Sequence, residues 1–385
     1  EHCTLMLAFG GVSIRTAQIA SGGTTAHDVG FWMKRAAENG MKTLCISPLA
    51  SDVDAVPGLA WQSIRPGSDT ALMMALTHEL ILNGWVDRAF IARCVTGWQA
   101  YEDYLTGAAD GTVKSADWAA PLCDIAAEDI RALAARLPRE KVMVSLAWGM
   151  QRADHGEQPV WAGLALAAAL GQIGQPGTGF GFGYGSTNMG GRPQRFVRWP
   201  AMSQGVANIL DFIPVARVAD MLLNPDTAYT YDGETRSYPD IKLVYWAGGN
   251  PFHHHQDLAR LEKAWKRPET IIVHDHSWTA TARRADIVLP CTTPLERDDL
   301  MLNPRDNRLV FMSALDKPMA EARDDYAIFS GLAKRLGFAE AFTEERDVEG
   351  WLRHLWDETC TVATEEGFDL PDFETFREIG VVQPQ

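Results

Sequence analysis

The chain has 385 residues, 46% hydrophobic and 22% charged, the balance of a globular protein with room for two or more cores. Its formal charge of −15 argues against nucleic acid or an anionic membrane surface as partner, because both demand clustered Lys and Arg. No apolar run approaches the ~20 residues of a bilayer span; the best, Leu164 to Leu170, is short and flanked by glycine, so no membrane insertion is expected.

Taken in chain order, the run Leu5 to Phe9 predicts a strand ending in Gly10-Gly11, followed by a helix around His27 to Glu38. A second apolar run, Met41 to Ile46, leads into Ser47-Pro48. Asp69 to Leu82 has strong helical periodicity after Pro66-Gly67-Ser68, so Ser68 or Asp69 can cap a helix whose N-terminus points at an anion. Ala127 to Leu137 reads as a helix and Val142 to Ala147 as a buried strand. The block after that strand, Trp148-Gly149-Met150-Gln151-Arg152, contains a cation able to pair with pyrophosphate, and His155 beyond it can move a proton near neutral pH. Pro159 to Leu170 is an apolar helix stopped by Gly171. The glycine-rich segment 174–195 reads as a loop, either flexible or backing closely onto a bulky ligand.

After a connecting stretch, 196–240, Ile241 to Ala247 predicts a buried strand. It ends in Gly248-Gly249-Asn250-Pro251, where a side-chain-free backbone can turn tightly against a phosphate. A polar helical segment containing His253-His254-His255 follows, then the run Thr270 to Val273, ending in His274-Asp275. Strand, glycine turn, helix, strand and acid, with the acid about 25 residues after the glycines, is the pattern by which a carboxylate meets a ribose hydroxyl or a base. By spacing alone Asp275 could equally cap the next helix. Glu296-Arg297-Asp298 follows a further strand end at Leu289-Pro290, and Asp324 to Gln385 reads as two or three surface helices with an acidic tail.

The segment 5–47 and the segment 241–275 echo one another. The period is too long for a solenoid, which points to duplication of a mononucleotide-binding half. The expected fold is therefore α/β, with two related, mostly parallel sheets flanked by helices. Its expected divisions are 1–195, 196–320, and a helical segment 321–385 packing on the domains. Three consecutive His diverge by about 100° each on a helix and do not converge on one ion. The six cysteines are scattered without a C-x-x-C pair, which excludes an iron–sulfur or zinc site built on the usual local spacing. No G-x-S-x-G elbow and no Walker pattern is present, and the full G-x-G-x-x-G of a nicotinamide-binding domain follows neither strand.

The wording AGGNPFHHHQDL, TATARRADIVLP and TTPLERDD, with WGMQRADHGEQPVWAGLALAAALGQIGQPGTGFGFGYGSTNMGG at 148–191, closely resembles the dimethyl sulfoxide reductase family of molybdopterin oxidoreductases. Within it the chain is most similar to the S- and N-oxide reductases acting on dimethyl sulfoxide, trimethylamine N-oxide and biotin sulfoxide. The resemblance implies a molybdenum cofactor with two molybdopterin guanine dinucleotides, one on each of two related domains, and reduction of a small-molecule oxide with electrons from a separate donor. It implies that Gly248, Gly249, Asn250 and His253 lie on a cofactor-binding turn and that Asp275 accepts from ribose or guanine. It places a guanine-binding acid at Gly67-Ser68-Asp69, a pterin-facing strand end at Trp148 to Arg152 with His155, and a cofactor support at Glu296. The first unit departs from the family: Gly10-Gly11 is followed by Val12-Ser13 rather than Asn-Pro, and Ser47 stands where an Asp usually follows the second strand. The resemblance begins part-way through the family's pattern. The expectation is the central portion of a larger enzyme, with the protein ligand to molybdenum outside it; a cofactor-binding module without turnover is the alternative.

Overall fold

A computed structural model describes residues 2–14, 27–53, 59–184, 197, 201–202, 211–301 and 307–384. The chain divides into two compact units, Glu1–Phe196 with Asn303–Asn307 and Val197–Leu302 with Arg308–Gln385.

The first unit is built on strands β1 (Leu5–Phe9), β2 (Lys42–Ile46), β3 (Leu59–Gln62), β4 (Val142–Leu146) and β5 (Gly179–Phe182), which are all parallel in the order β3-β2-β1-β4-β5. Every residue of β1 is buried, as a strand covered on both faces must be. Its alternation decides which layer each side chain joins. Leu5, Leu7 and Phe9 pack into the main core, whereas Met6 and Ala8 meet Val29 and Met33 of α1 (Val29–Glu38) on the other face. The main core is roofed by α2 (Asp69–Leu82), α3 (Arg88–Cys94), α4 (Trp98–Leu105), α5 (Ala116–Cys123), α6 (Ala127–Arg136) and α7 (Glu157–Ala169).

Two sequence expectations change here. Helix α2 keeps its predicted bounds, but it is not one-sided. Consecutive residues Ala75 to Leu80 are all buried, which marks a helix surrounded by other elements rather than an amphipathic surface helix. The glycine-rich segment is not loop throughout, because Gly179–Phe182 pairs with β4 as an edge strand. Its glycines back onto aromatic rings of the same chain: a Cβ on Gly181 would lie 2.4 Å from Tyr184, and one on Gly183, at φ +90°, 2.1 Å from the Trp148 indole nitrogen. Residues 185–195 of that expected loop lie outside the described residues.

The second unit holds α8 (Val218–Leu223) and the hairpin β6 (Ala228–Tyr231) and β7 (Glu234–Ser237). A parallel sheet follows, of β8 (Leu243–Ala247), β9 (Thr270–Asp275) and β10 (Ile287–Pro290) in the order β10-β9-β8. This is the order of β3-β2-β1, so the sequence echo has a topological counterpart. Helices α9 (Pro251–His254) and α10 (Leu258–Ala264) connect β8 to β9. Ile271 and Val273 of β9 are buried against Leu261, Ala264 and Trp265. The expected burial of β8 is not found: Leu243 and Ala247 are exposed and the residues between them half-buried. Among the described residues β8 pairs only with β9; an apolar run does not distinguish an edge strand from a central one.

Strands β11 (Asp299–Met301) and β12 (Leu309–Met312) pair antiparallel. Helices α11 (Asp325–Leu336), α12 (Ala339–Thr343), α13 (Val348–Glu365) and α14 (Phe373–Ile379) follow, and β13 (Val381–Val382) closes this sheet against β12. Trp356 is fully buried here, stacked on Phe376 with ring centroids 3.6 Å apart, its indole N–H donating to the Pro371 carbonyl at 3.0 Å. Trp356→Ala is expected to destabilise the second unit by about 3–5 kcal/mol through the lost transfer energy and the cavity left behind. Urea unfolding followed by circular dichroism measures it, and a loss under 1 kcal/mol would show that this cluster is not a core.

Candidate functional site

In both parallel sheets the carboxyl ends of the strands lie in register along one edge. Phe9 is level with Ile46 and Leu146, Ile46 with Gln62, and Leu146 with Phe182. The strand order reverses between β1 and β4, and an open α/β sheet holds its ligand in the crevice outside such a switch point. The residues singled out from the sequence of the first unit occupy this edge. Gly10 and Gly11 follow β1 at φ +80° and +98°, conformations that side chains with a Cβ rarely adopt. The Gly10 Cα is also packed so closely that a Cβ would lie 2.8 Å from Met150. Trp148, Gly149, Met150 and Gln151 form a single 3-10 turn directly after β4.

Several of these groups are already engaged. Ser47 is fully buried, and its hydroxyl donates to the Leu49 carbonyl at 3.0 Å. Ser68 does not cap α2 with its side chain; its hydroxyl donates to the Arg65 carbonyl at 2.7 Å. Arg65 in turn holds Asp124 at 2.6 Å, mooring this loop to the end of α5. Gly67 has φ +79° with open space where a Cβ would stand. Asp69 opens α2, and no cation pairs with it among the described residues. Burial pushes its carboxyl up from 3.8 to about 6. Gln151, Arg152 and His155 are exposed. His155 stands at φ +52° between two carboxylates, 3.9 Å from Asp154 and 3.8 Å from Glu157.

In the second unit Ala247 is level with His274, and Asp275 with Pro290. Gly248 and Gly249, at φ +82° and +75°, are exposed, and nothing lies within 4 Å of where either Cβ would be. They form an open turn bounded by backbone, the surface a phosphate can approach. The Thr281 hydroxyl donates to the Asn250 side-chain oxygen, which fixes the turn's exit into α9. His253 is exposed on α9. Burial, and then the neighbouring His254, push His255 below the usual imidazole range.

Asp275 is half-buried at the end of β9. Its two oxygens accept from the Ser277 N–H at 3.2 Å and the Thr279 hydroxyl at 2.6 Å. A carboxylate has about four lone-pair positions, so each oxygen keeps one for a further donor. Glu296 is used more fully. It closes a capping box with Thr293, accepting its N–H at 2.8 Å, and its other oxygen accepts the Met319 N–H at 2.9 Å.

One cluster was not foreseen. Buried His274 lies 2.7 Å from the Tyr245 hydroxyl through Nε2 and 2.7 Å from Asp325 through Nδ1. These partners lie 29 and 51 residues away, and no local pattern marks them; the only signal was a polar ring closing an apolar strand.

The molybdopterin oxidoreductase family model matches residues 24–335. Biotin sulfoxide reductase of Cereibacter sphaeroides is 51% identical over 98% of this chain and 51% of that protein. The dimethyl sulfoxide/trimethylamine N-oxide reductase of the same organism is 40% identical over 100% of this chain and 48% of its own length. Trimethylamine-N-oxide reductase of Haemophilus influenzae is 38% identical over 98% and 47%. The chain thus spans about half the length of these curated relatives. Among solved structures, acetylene hydratase from Pelobacter acetylenicus superimposes with a TM-score of 0.59 over 100% of this chain and 52% of that one, at 15% identity, which shows a shared fold. The family model covers most of the sequence, and the parallel sheets carry their glycine turns at one edge: the chain belongs to the molybdopterin oxidoreductase family.

Proposed function

We propose that this chain holds the guanine-nucleotide ends of two molybdopterin guanine dinucleotides, one at the carboxyl edge of each parallel sheet, within an enzyme that reduces an S-oxide or N-oxide. The single observation that carries the reading is the open Gly248-Gly249 turn beside Asp275. One supplies bare backbone for a phosphate, and the other supplies paired acceptor positions at the end of the adjoining strand. A carboxylate in this place accepts from the N1 and N2 donors of guanine. In the first unit Gly10, Gly11 and the turn from Trp148 to Gln151 would face the pterin and its phosphates. Arg152 is the cation available to the pyrophosphate, and Asp69 is the guanine acceptor.

Held by the Gly10-Gly11 and Gly248-Gly249 turns, Arg152, Asp69 and Asp275, a molybdenum–pterin group would supply the two-electron chemistry of a reaction that consumes two protons and releases the oxide's oxygen as water. The chain's own residues bind and orient. Ser47, Ser68 and Glu296 act at one remove, since their side chains already brace the loops of the two edges. The electrons are taken to come from a separate donor, as the oxide-reducing reading requires. Supporting the oxide as substrate class are the names of the relatives: sulfoxide and N-oxide reductases.

Asp69 gives this reading a pH signature. Its folded-state value of about 6 lies above the ordinary 3.8, so the folded chain holds a proton that the unfolded chain has released. Stability therefore falls as pH rises from about 4 through 6. Asp69→Asn is expected to match the parent at pH 4 and to exceed it at pH 8 by up to roughly 3 kcal/mol, read from urea midpoints at the two values. Guanine donors favour the ionised carboxylate, so nucleotide affinity at this site rises over the same interval. An Asp69→Asn variant without a pH-dependent difference would contradict the burial argument.

The functional reading itself is tested on protein purified from a molybdenum-replete host. Molybdenum and acid-released guanine nucleotide are measured together with oxide reduction by a reduced viologen dye. Two guanine nucleotides per metal with turnover support an enzyme. Nucleotide uptake without turnover favours the alternative, a cofactor-holding module.

A further inference from the structure

We propose that His274 is a positioning residue for the second nucleotide site, aiming Asp275 through a hydrogen-bonded chain that runs from Tyr245 to Asp325. The inference rests on the reading of Asp275 as a guanine acceptor. His274 precedes Asp275 on β9, and Tyr245 lies three residues before Gly248 on β8. The His274 ring joins these two strands, one residue before Asp275 and three residues before Gly248. Its side chain is 1% exposed, and both ring nitrogens have partners at 2.7 Å. A buried imidazole with either partner missing would carry the desolvation penalty of an unsatisfied polar group.

The order of the hydrogen bonds follows from the donors available. A carboxylate only accepts, so Nδ1 donates to Asp325, and in the tautomer that carries its proton on Nδ1 the Nε2 atom accepts from the Tyr245 hydroxyl. Asp325 sits in the first turn of α11, where the helix dipole favours a carboxylate. One turn further along, Phe329 stacks on the His274 ring at 5.0 Å. The ring is thus held in its plane by α11 and along its edge by Tyr245. Successive strand side chains leave on opposite faces, so a ring locked on one face fixes the direction of the next Cα–Cβ bond, which is that of Asp275. Burial together with the Asp325 charge pushes the Tyr245 hydroxyl above its usual range, keeping it a donor.

GDP is the probe, and calorimetric titration of the whole chain is the assay. Asp275→Ala is the reference and defines which of the GDP sites is in question. His274→Phe, which preserves the ring's shape and its stacking on Phe329, is expected to weaken that site about tenfold with Asp275 intact. Asp325→Asn and Tyr245→Phe, milder changes that keep the test available should His274→Phe fold poorly, are each expected to weaken it about threefold. The double variant H274F/D325N should be no weaker than H274F alone, because both act through one chain of bonds. Phe376→Leu, in the separate α13–α14 cluster, controls for stability: it should lower Tm without moving GDP affinity. In the parent, the Nδ1 proton of His274 should give a downfield NMR resonance that Asp325→Asn removes. Unchanged GDP affinity in His274→Phe, with loss in Asp275→Ala, overturns the role of His274 and leaves the site standing. Unchanged affinity in Asp275→Ala overturns both.

Discussion

Asp275→Ala is expected to weaken one guanine-nucleotide site by about 10²-fold or more, while costing only about 1–2 kcal/mol of stability. The two magnitudes have separate origins. A hydrogen bond to a charged group contributes about 1.5–3 kcal/mol, so a carboxylate that takes two donors from guanine accounts for at least two decades of affinity. The stability term comes from the bonds Asp275 accepts from Ser277 and Thr279, each a modest net contribution. Asp275→Asn should fall between, since an amide offers one acceptor and turns a donor toward a donor. A residue that merely finished its strand would show the opposite pattern, with the stability loss present and GDP affinity unmoved. Titration and urea unfolding of the same samples separate the two.

Gly156→Ala is expected to cost about 3 kcal/mol or more and to displace the whole turn that carries Trp148 to His155. Gly156 has φ −62° and ψ −13°, a conformation open to any residue, so strain is not the reason. The reason is contact: an added Cβ would lie 2.0 Å from the Gln151 carbonyl oxygen and 2.5 Å from its carbon. Backbone atoms cannot swing aside as a flexible side chain can, and overpacking of this kind is among the few causes of large single-residue losses. Thermal unfolding measures the loss, and the emission difference between the chain and its Trp148→Phe variant, compared with and without Gly156→Ala, reports the displacement. A variant with parental Tm and emission would show that this turn is slack.

How much of this was legible in the sequence depended on the range of the constraint. Gly248-Gly249 and Asp275 could be read because a positive-φ turn, an apolar strand and a strand-end acid are local features. The bounds of α2 could be read from its period, but its burial on all sides could not, because burial is set by the helices around it. Helix α5 was missed; it carries Pro121 in its interior, which ordinarily breaks a helix. Strand β5 was hidden by its glycines, of which Gly181 lets the Tyr184 ring lie against the backbone, with Gly183 just beyond the strand doing the same for Trp148. The sheet of β11, β12 and β13 was invisible because Leu309 pairs with Val382, a match no local pattern announces. The same distance concealed the bonds of His274. Residues whose side chains turned out to be engaged, such as Ser47 and Glu296, looked identical in sequence to residues free to bind.

The central claim is that each parallel sheet offers one guanine-nucleotide site at its carboxyl edge. Equilibrium dialysis of the purified chain against GDP, with NAD as competitor, tests it most directly. The account predicts two GDP per chain, one lost in Asp275→Ala and the other in Asp69→Ala, with NAD displacing neither. A chain that binds no GDP, or whose GDP binding is indifferent to both substitutions, would contradict it.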